Sequence, residues 1–220
     1  SGSVLSVTAA YRGHPELAVS NALGGIAVQT FFLAIADIVY RRANLEHAAA
    51  SAPNMMQNGL LIALLALILL APNLPDVTVW GIHPVTPILL GFYFYGTRLI
   101  QSAGKQPMWR PPITGETRQD EPENESQLPA LSRLWTEFAL LMATLGAAGL
   151  VLEPAATTIS SEAGLSQTIV GVLLTAVSTS IPELVTSVAA VRRGALTLAV
   201  AGIIGGNAFD TLFMAASDIA

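Results

Sequence analysis

Two acidic residues lie inside long apolar stretches near the end of the chain. Glu183 directly follows Pro182, and Asp210 follows the run Gly205-Gly206-Asn207, both within the segment Val177–Phe213. A carboxylate inside a hydrophobic helix is costly and usually marks a polar path or a site. Proline and paired glycines at that depth predict breaks in both helices, which free backbone carbonyl oxygens. Carboxylates beside free carbonyls bind cations, so the pattern predicts a cation site built on two broken helices.

The helices that carry these acids have a second copy at the start of the chain. With an offset of 181 residues, Ser1–Val39 aligns without gaps with Pro182–Ala220, and 17 of the 39 pairs are identical. The identical pairs include glycine, arginine and aspartate positions: Arg12/Arg193, Gly13/Gly194, Gly24/Gly205, Gly25/Gly206 and Asp37/Asp218. An internal duplication of such helices is the pattern expected around a transporter's binding site.

Composition indicates a membrane protein. Of 220 residues, 52% are hydrophobic and only 11% are charged, which differs from an ordinary soluble domain. The chain has no basic patch or aromatic stacking platform, so we expect no nucleic acid partner. It also has no cysteine, which excludes disulfides and thiolate metal sites. The partners expected are the lipid bilayer and transported cations; no cofactor and no protein partner is expected.

The apolar segments divide the chain into three parts. We predict an N-terminal membrane half at 1–101, a polar linker at 102–132 and a C-terminal membrane half at 133–220. The predicted helices cover 1–11, 17–40, 54–70, 84–101, 134–152, 165–191 and 196 to the end. The linker has no apolar period and is expected to be mobile. The sequence begins without Met inside one repeat and stops inside the other, so we expect a piece of a longer protein.

Charge placement predicts the orientation. Nine of the ten Lys and Arg residues fall in links on one side of the predicted helices, and Arg12 is the exception. By the positive-inside rule that side, with the 102–132 loop, is cytoplasmic, and we expect the plasma (inner) membrane. The two repeats begin five helices apart. Because five is odd, the repeats must have opposite orientations and form an inverted repeat.

Three other acidic residues are expected outside the site. Glu153 follows the predicted end of a helix and is expected in a solvated loop. Asp37 and Asp218 lie two turns past the site positions, and we expect both near the cytoplasmic end in interfacial or structural roles.

The second repeat resembles a known family. The residues Ser178–Leu184, which read Ser-Thr-Ser-Ile-Pro-Glu-Leu, precede Arg193-Gly194 and then Gly205–Asp210, which read Gly-Gly-Asn-Ala-Phe-Asp. This order resembles the second α-repeat of the sodium/calcium exchanger family, within the calcium/cation antiporter superfamily. The segment Gly13–Gly25 resembles the first α-repeat more loosely. The resemblance implies an all-α, multi-spanning membrane protein whose two inverted halves bind ions in the middle of the membrane.

The resemblance also implies which residues hold the ion. Carried over by position, the site residues are Thr179, Ser180, Glu183, Gly206, Asn207 and Asp210 from the second repeat and Gln29 from the first. The first repeat departs from the family pattern. Gly2 stands where the family has a second Glu, and Gln29 where Asn or Asp is usual; Gly206 replaces the usual Ser. This leaves two carboxylates in the site.

The function implied is a secondary cation antiporter rather than an enzyme. Glu183 and Asp210 are enough to neutralise one calcium ion, whose shell of oxygens the hydroxyls, Gln29 and free carbonyls would complete. They are too few to hold three sodium ions near neutrality, so a monovalent cation (Na⁺ or K⁺)/proton antiporter, with Glu183 carrying the proton, stays open. A transport-dead paralogue and a channel are further alternatives. An intramembrane aspartyl protease is disfavoured, since Tyr-Asp and Gly-x-Gly-Asp motifs are absent.

Overall fold

The computed structural model describes residues 1–219 except 76, 80, 106–108, 111, 118–119 and 121–128. In this part of the chain the regular elements are helices, apart from one isolated bridge between Val79 and Ile82. The helices are α1 (Gly2–Tyr11), α2 (Pro15–Tyr40), α3 (Leu45–Ala48), α4 (Ala52–Leu70), α5 (Val85–Lys105), α6 (Leu131–Ala163), α7 (Gln167–Ile169), α8 (Ala176–Arg193) and α9 (Leu196–Ile219). A π-helical segment, Val170–Thr175, joins α7 to α8.

Five helical segments of the described chain are long and apolar enough to cross a membrane. They are Pro15–Tyr40, Ala52–Asn73, Leu131–Ala163, Gln167–Arg193 and Leu196–Ile219. The predicted all-α, multi-spanning membrane architecture is therefore confirmed. Helix α5 is less apolar but lies antiparallel along α4, since Gly96 packs on Leu60 and Gly104 on Pro53. It therefore crosses the same layer as α4.

The two repeats form equivalent helical hairpins. Gly13 joins α1 to α2 with φ of 80°, and Gly194 joins α8 to α9 with φ of 82°, a conformation that glycine adopts without strain. Residues at equivalent positions meet where the hairpins pack. The Gln29 Nε2 atom donates to Asp210 Oδ2 at 3.0 Å, and both positions are related by the 181-residue offset. Equivalent residues in contact indicate that a pseudo-two-fold axis runs between α2 and α9.

Basic links lie together at one end of the bundle. Arg42, Arg192 and Arg193 line the same surface cleft, at the C-terminal ends of α2 and α8. The buried residues at this end are Ala36, Leu45, Ala48, Ala49, Val191, Leu196 and Ala199. A second apolar cluster, at the opposite end, packs α1 and the start of α2 against α6 and the π-helical segment. The site lies between these two clusters.

The prediction of two broken helices is wrong. Helix α8 continues through Pro182, and α9 continues through Gly205 and Gly206. Proline removes one backbone N–H, so the carbonyl of Ser178 loses its helical donor while the helix path persists. The irregular backbone lies earlier, in the π-helical segment that precedes α8.

The predicted loop at Glu153 is also wrong. Helix α6 runs past Pro154 to Ala163, because Ala156 on its next turn packs in the apolar cluster formed with α1 and α2. The Glu153 carboxylate is 1% exposed and pairs with the Arg12 guanidinium and with His14 Nδ1. This ion pair fastens the turn of the first hairpin to α6.

The two equivalent aspartates lie at opposite ends, which contradicts the expectation that both are near one end. Asp37 accepts a hydrogen bond from the Leu45 N–H at the basic end. Asp218 accepts hydrogen bonds from the His83 N–H and the Thr86 hydroxyl, where α5 begins. Opposite placement is the direct consequence of an inverted repeat.

One linker residue contacts a site helix. Both carboxylate oxygens of Asp120 accept hydrogen bonds, from the N–H groups of Thr197 and Leu198 in the first turn of α9. The linker predicted to be mobile is therefore held at this point by a carboxylate on a helix N-terminus. Residues 121–128, which include the linker acids Glu121, Glu123 and Glu125, lie outside the described part of the chain.

Candidate cation-binding site

A small cavity lies where α2, α8 and α9 converge beside the start of α1. Its volume is about 40 Å³, enough for one ion or a water molecule. The polar residues that line it are Ser1, Ser3, Asn21, Gln29, Thr179, Ser180, Glu183 and Asp210. Five of the seven residues that the sequence assigned to the site are among them, so the structure brings most of that set together.

Helix α8 supplies two hydroxyls and a carboxylate to the cavity. Thr179, Ser180 and Glu183 fall on one face because positions three and four residues apart are neighbours on a helix. Thr179 and Ser180 are 4% and 1% exposed. The Glu183 Oε2 atom is buried and has no hydrogen-bond partner. An unpaired carboxylate oxygen in this position is unfavourable without a ligand, so it marks a place for a proton or a cation.

Gln29 of α2 contacts the other carboxylate. Its Nε2 atom donates to Asp210 Oδ2 at 3.0 Å and to Ser180 Oγ at 3.5 Å. Its Oε1 atom is buried without a hydrogen-bond partner. A Cβ atom built on Gly206 would lie 3.8 Å from this oxygen, so position 206 lies beside Gln29, although Gly206 does not line the cavity. Gln29 therefore orients Asp210 and presents a second unpaired oxygen.

Asn21 is a site residue that the sequence reasoning missed. It is 2% exposed and lies two turns before Gln29 on the same face of α2. Its Oδ1 atom accepts hydrogen bonds from the hydroxyls of Thr175 at 2.8 Å and Thr179 at 3.5 Å. Its Nδ2 atom donates to Ser6 Oγ at 3.0 Å. Asn21 thus ties α1 and the start of α8 to α2. Asn21 precedes Gly25 by four residues and Gln29 by eight, but this spacing alone does not distinguish a site residue from a packing residue.

Asn207 lies outside this cavity. Its Nδ2 atom donates to Thr30 Oγ1 at 3.1 Å and to the Ile26 carbonyl at 3.4 Å. Its Oδ1 atom is buried without a partner, and the side chain lines a second, larger cavity. The structure therefore separates Asn207 from the group around Glu183 and Asp210.

The donor set of the site consists of oxygen atoms and includes two carboxylates. In the described residues no group of three or more His, Cys, Asp or Glu side chains is placed to hold a metal ion. Gly2 lines the same cavity and contributes no side chain. Carboxylate, amide and hydroxyl oxygens are the ligands that hard cations such as Ca²⁺ prefer.

Inverted hairpins that enclose an oxygen-lined site in a membrane bundle are an arrangement found in many secondary transporters. Residues 133–219 match the family model described as "Sodium/calcium exchanger protein". The resemblance seen in the sequence is therefore confirmed.

One curated relative extends the match over both repeats. The chain is 26% identical over 215 residues to a protein of Alkalimonas amylolytica named "Putative antiporter CaxA". The match covers 95% of this chain and 62% of that protein, so the chain spans less than two thirds of the relative's length. No solved structure matches the chain significantly.

Proposed function

We propose that this chain forms the ion-binding part of a secondary cation antiporter that exchanges calcium for sodium. The observation that carries the proposal is the pair of buried, unpartnered oxygens, Glu183 Oε2 and Gln29 Oε1, on residues that line one cavity with Asp210. Unpaired oxygens with no donor facing them suit a cation, which supplies positive charge without a hydrogen bond. The family match and the printed name of the relative support antiport.

The site residues divide the work between charge and coordination. Glu183 and Asp210 balance the charge of one divalent cation. Gln29, Thr179 and Ser180 supply neutral oxygens, which help to fill the six to eight positions that Ca²⁺ takes. Movement of the two hairpins about their shared axis would then open the site to each side in turn.

A monovalent cation/proton antiporter is the second candidate. The presence of only two carboxylates among the described site residues favours it. Two negative charges do not neutralise the three sodium ions that a sodium/calcium exchanger would have to bind. In this mechanism the Glu183 carboxylate binds a proton in one half of the cycle and Na⁺ or K⁺ in the other half. The two candidates differ in their coupling ion and can be separated by one flux experiment.

The test is ion flux in proteoliposomes that contain the intact protein. We expect an outward sodium gradient to drive calcium uptake, and Glu183→Gln to reduce that uptake at least tenfold. Glu162→Gln is the matched control, since it makes the same chemical change at an exposed position in α6. An internal pH change on adding sodium or potassium, without calcium uptake, would favour the second candidate. Unchanged flux in Glu183→Gln would refute the site assignment.

A further inference from the structure

The larger cavity lies at the basic end of the bundle, between α2, α4 and α9 and beneath the segment that contains α3. Its volume is about 680 Å³. The polar residues on which the inference depends are Thr30, Asp37, Glu46, Ser51, Asn58 and Asn207. They come from three helices and the α3 segment, and the carried-over site set contains only Asn207 among them. We call this space the vestibule.

The charge of the vestibule is negative. Asp37 and Glu46 line it, and its lining includes no Lys, Arg or His residue. The arginines of this end, Arg42, Arg192 and Arg193, line a separate cleft. The remaining wall is apolar, with Leu33 and Ile204 among its residues. Carboxylates in a cleft with low-dielectric walls concentrate cations and raise their association rate.

The carboxylate of Asp37 is held in place with one oxygen unused. Its Oδ1 atom accepts the Leu45 N–H at 2.7 Å, which fixes the side chain between α2 and α3. In the described part of the chain its Oδ2 atom receives no hydrogen bond and Asp37 forms no ion pair. Asp37 can therefore attract a hydrated cation without first losing a partner.

The inner end of the vestibule reaches the α2–α9 contact beside the cation site. Asn207 is 1% exposed and lines the vestibule, and its Oδ1 atom has no hydrogen-bond partner. It donates to Thr30, the neighbour of Gln29, and it lies three residues before Asp210. The contacts that join Gln29 to Asp210 and Thr30 to Asn207 thus lie between the two cavities.

We propose that the vestibule is a water-filled access chamber that binds hydrated cations at Asp37 and passes them to Asn207 at the α2–α9 contact. The proposal rests on the proposed function, because it assigns the path by which the cation reaches Glu183 and Asp210. The chamber serves the basic end of the bundle. The equivalent aspartate of the second repeat, Asp218, lies at the other end of the bundle, where its Oδ2 atom accepts hydrogen bonds from His83 N–H and the Thr86 hydroxyl, so it does not line the vestibule.

The first experiment tests whether water and cations enter, without requiring transport. The chain contains no cysteine, so Asn58→Cys introduces one thiol into it, in the vestibule wall; any cysteine outside this chain is replaced by serine in the intact, reconstituted protein. A membrane-impermeant thiol reagent with a positive charge is applied to the side that carries the basic links. Ile62→Cys is the control, since this side chain is 60% exposed on α4 and does not line the vestibule.

We expect Asn58→Cys to react, and Ile62→Cys to remain unlabelled within the bilayer. We also expect the cationic reagent to react faster than an anionic reagent of the same size, with the ratio falling about three- to tenfold on adding Asp37→Asn. The asparagine keeps the oxygen that accepts the Leu45 N–H, so the loop stays in place. An unreactive Asn58→Cys would show a dry gap or one filled by lipid, and equal rates for both reagents would exclude recruitment; either result overturns the proposal.

The second experiment measures transport. We expect Asp37→Asn to raise the KM for the cation several-fold without a matching loss of maximal rate, and Asp218→Asn to leave KM unchanged. Labelling at Asn58 without flux in the parent protein would refute the antiporter function alone. Normal flux with unreactive Asn58→Cys would refute the vestibule alone. Equal KM values for Asp37→Asn and the parent protein would contradict recruitment by Asp37.

Discussion

Gly24 and Gly205 are equivalent in the two repeats, but their surroundings differ. A Cβ atom built on Gly24 would lie 2.9 Å from Ala176 Cβ and 2.9 Å from Val172 Cα, at the junction of the π-helical segment with α8. These atoms belong to backbone or to its first side-chain carbon and cannot rotate away. At Gly205 the nearest atom is Gln57 Nε2, at 3.4 Å, which is the end of a flexible side chain. We therefore predict that alanine is tolerated at Gly205 but not at Gly24.

Two opposing effects set the expected difference in free energy of unfolding between Gly24→Ala and Gly205→Ala. Replacing glycine by alanine inside a helix gains about 1 kcal/mol in both variants, and this gain cancels in their comparison. Overpacking at Gly24 costs about 1–3 kcal/mol, whereas at Gly205 a small shift of Gln57 removes the contact. Gly24→Ala should therefore be about 1–3 kcal/mol less stable than Gly205→Ala, which itself should equal or exceed the parent protein.

Thermal unfolding of both variants in the same detergent is the assay, with calcium flux as a second readout. Gly24→Ala should unfold at lower temperature and lose flux, because the π-helical segment that positions Thr179 and Ser180 must move. If Gly24→Ala and Gly205→Ala unfold at the same temperature, then α2 does not approach the π-helical segment as closely as described. The geometry of the site would then need revision.

Three further substitutions test contacts made by Arg12, Glu153 and Asn21. Arg12→Ala should destabilise the protein by about 1–2 kcal/mol, less than breaking a fully buried ion pair, because Arg12 is half exposed and His14 still contacts Glu153. Glu153→Gln should destabilise the protein less than Arg12→Ala, since it leaves no buried charge. Thermal unfolding that ranks the two variants in the opposite order would contradict this. Asn21→Leu should lower the free energy of unfolding by about 1–2 kcal/mol through lost hydrogen bonds. It should also raise the KM for the cation, because the Thr179 hydroxyl loses a hydrogen-bond partner. Lower stability with an unchanged KM would show that Asn21 supports the fold and not the cation site.

The repeat and its site helices could be predicted because their signals are local. The 181-residue offset alone pairs Gln29 with Asp210, and the structure brings these two side chains into hydrogen-bond contact. The resemblance to the exchanger family selected Thr179, Ser180 and Glu183, and their spacing along α8 explains why the structure places them on one face.

Other features depend on tertiary packing and could not be read from local signals. Pro182 predicts a break, but packing of α8 against α2 and α9 keeps the helix continuous. Glu153 follows an apolar run that ends at Leu152, and only its contact with Arg12 in the folded chain shows that it is buried. Asn21 has Gly202 as its repeat counterpart, so the comparison of repeats gave no reason to select it.

The contact between Gln29 and Asp210 has a consequence for the energies of the transport cycle. If the two hairpins were identical, they could exchange conformations and reach a second state of equal free energy. The two-fold rotation would map the first state onto the second. Here an amide faces a carboxylate at the axis, and Gly24 is crowded where Gly205 is not. Exchange therefore places different side chains in the tight contacts, and the two states differ in free energy. Under the proposed alternating-access mechanism, we therefore expect unequal populations of the two states without ions, with one opening favoured before any ion gradient acts.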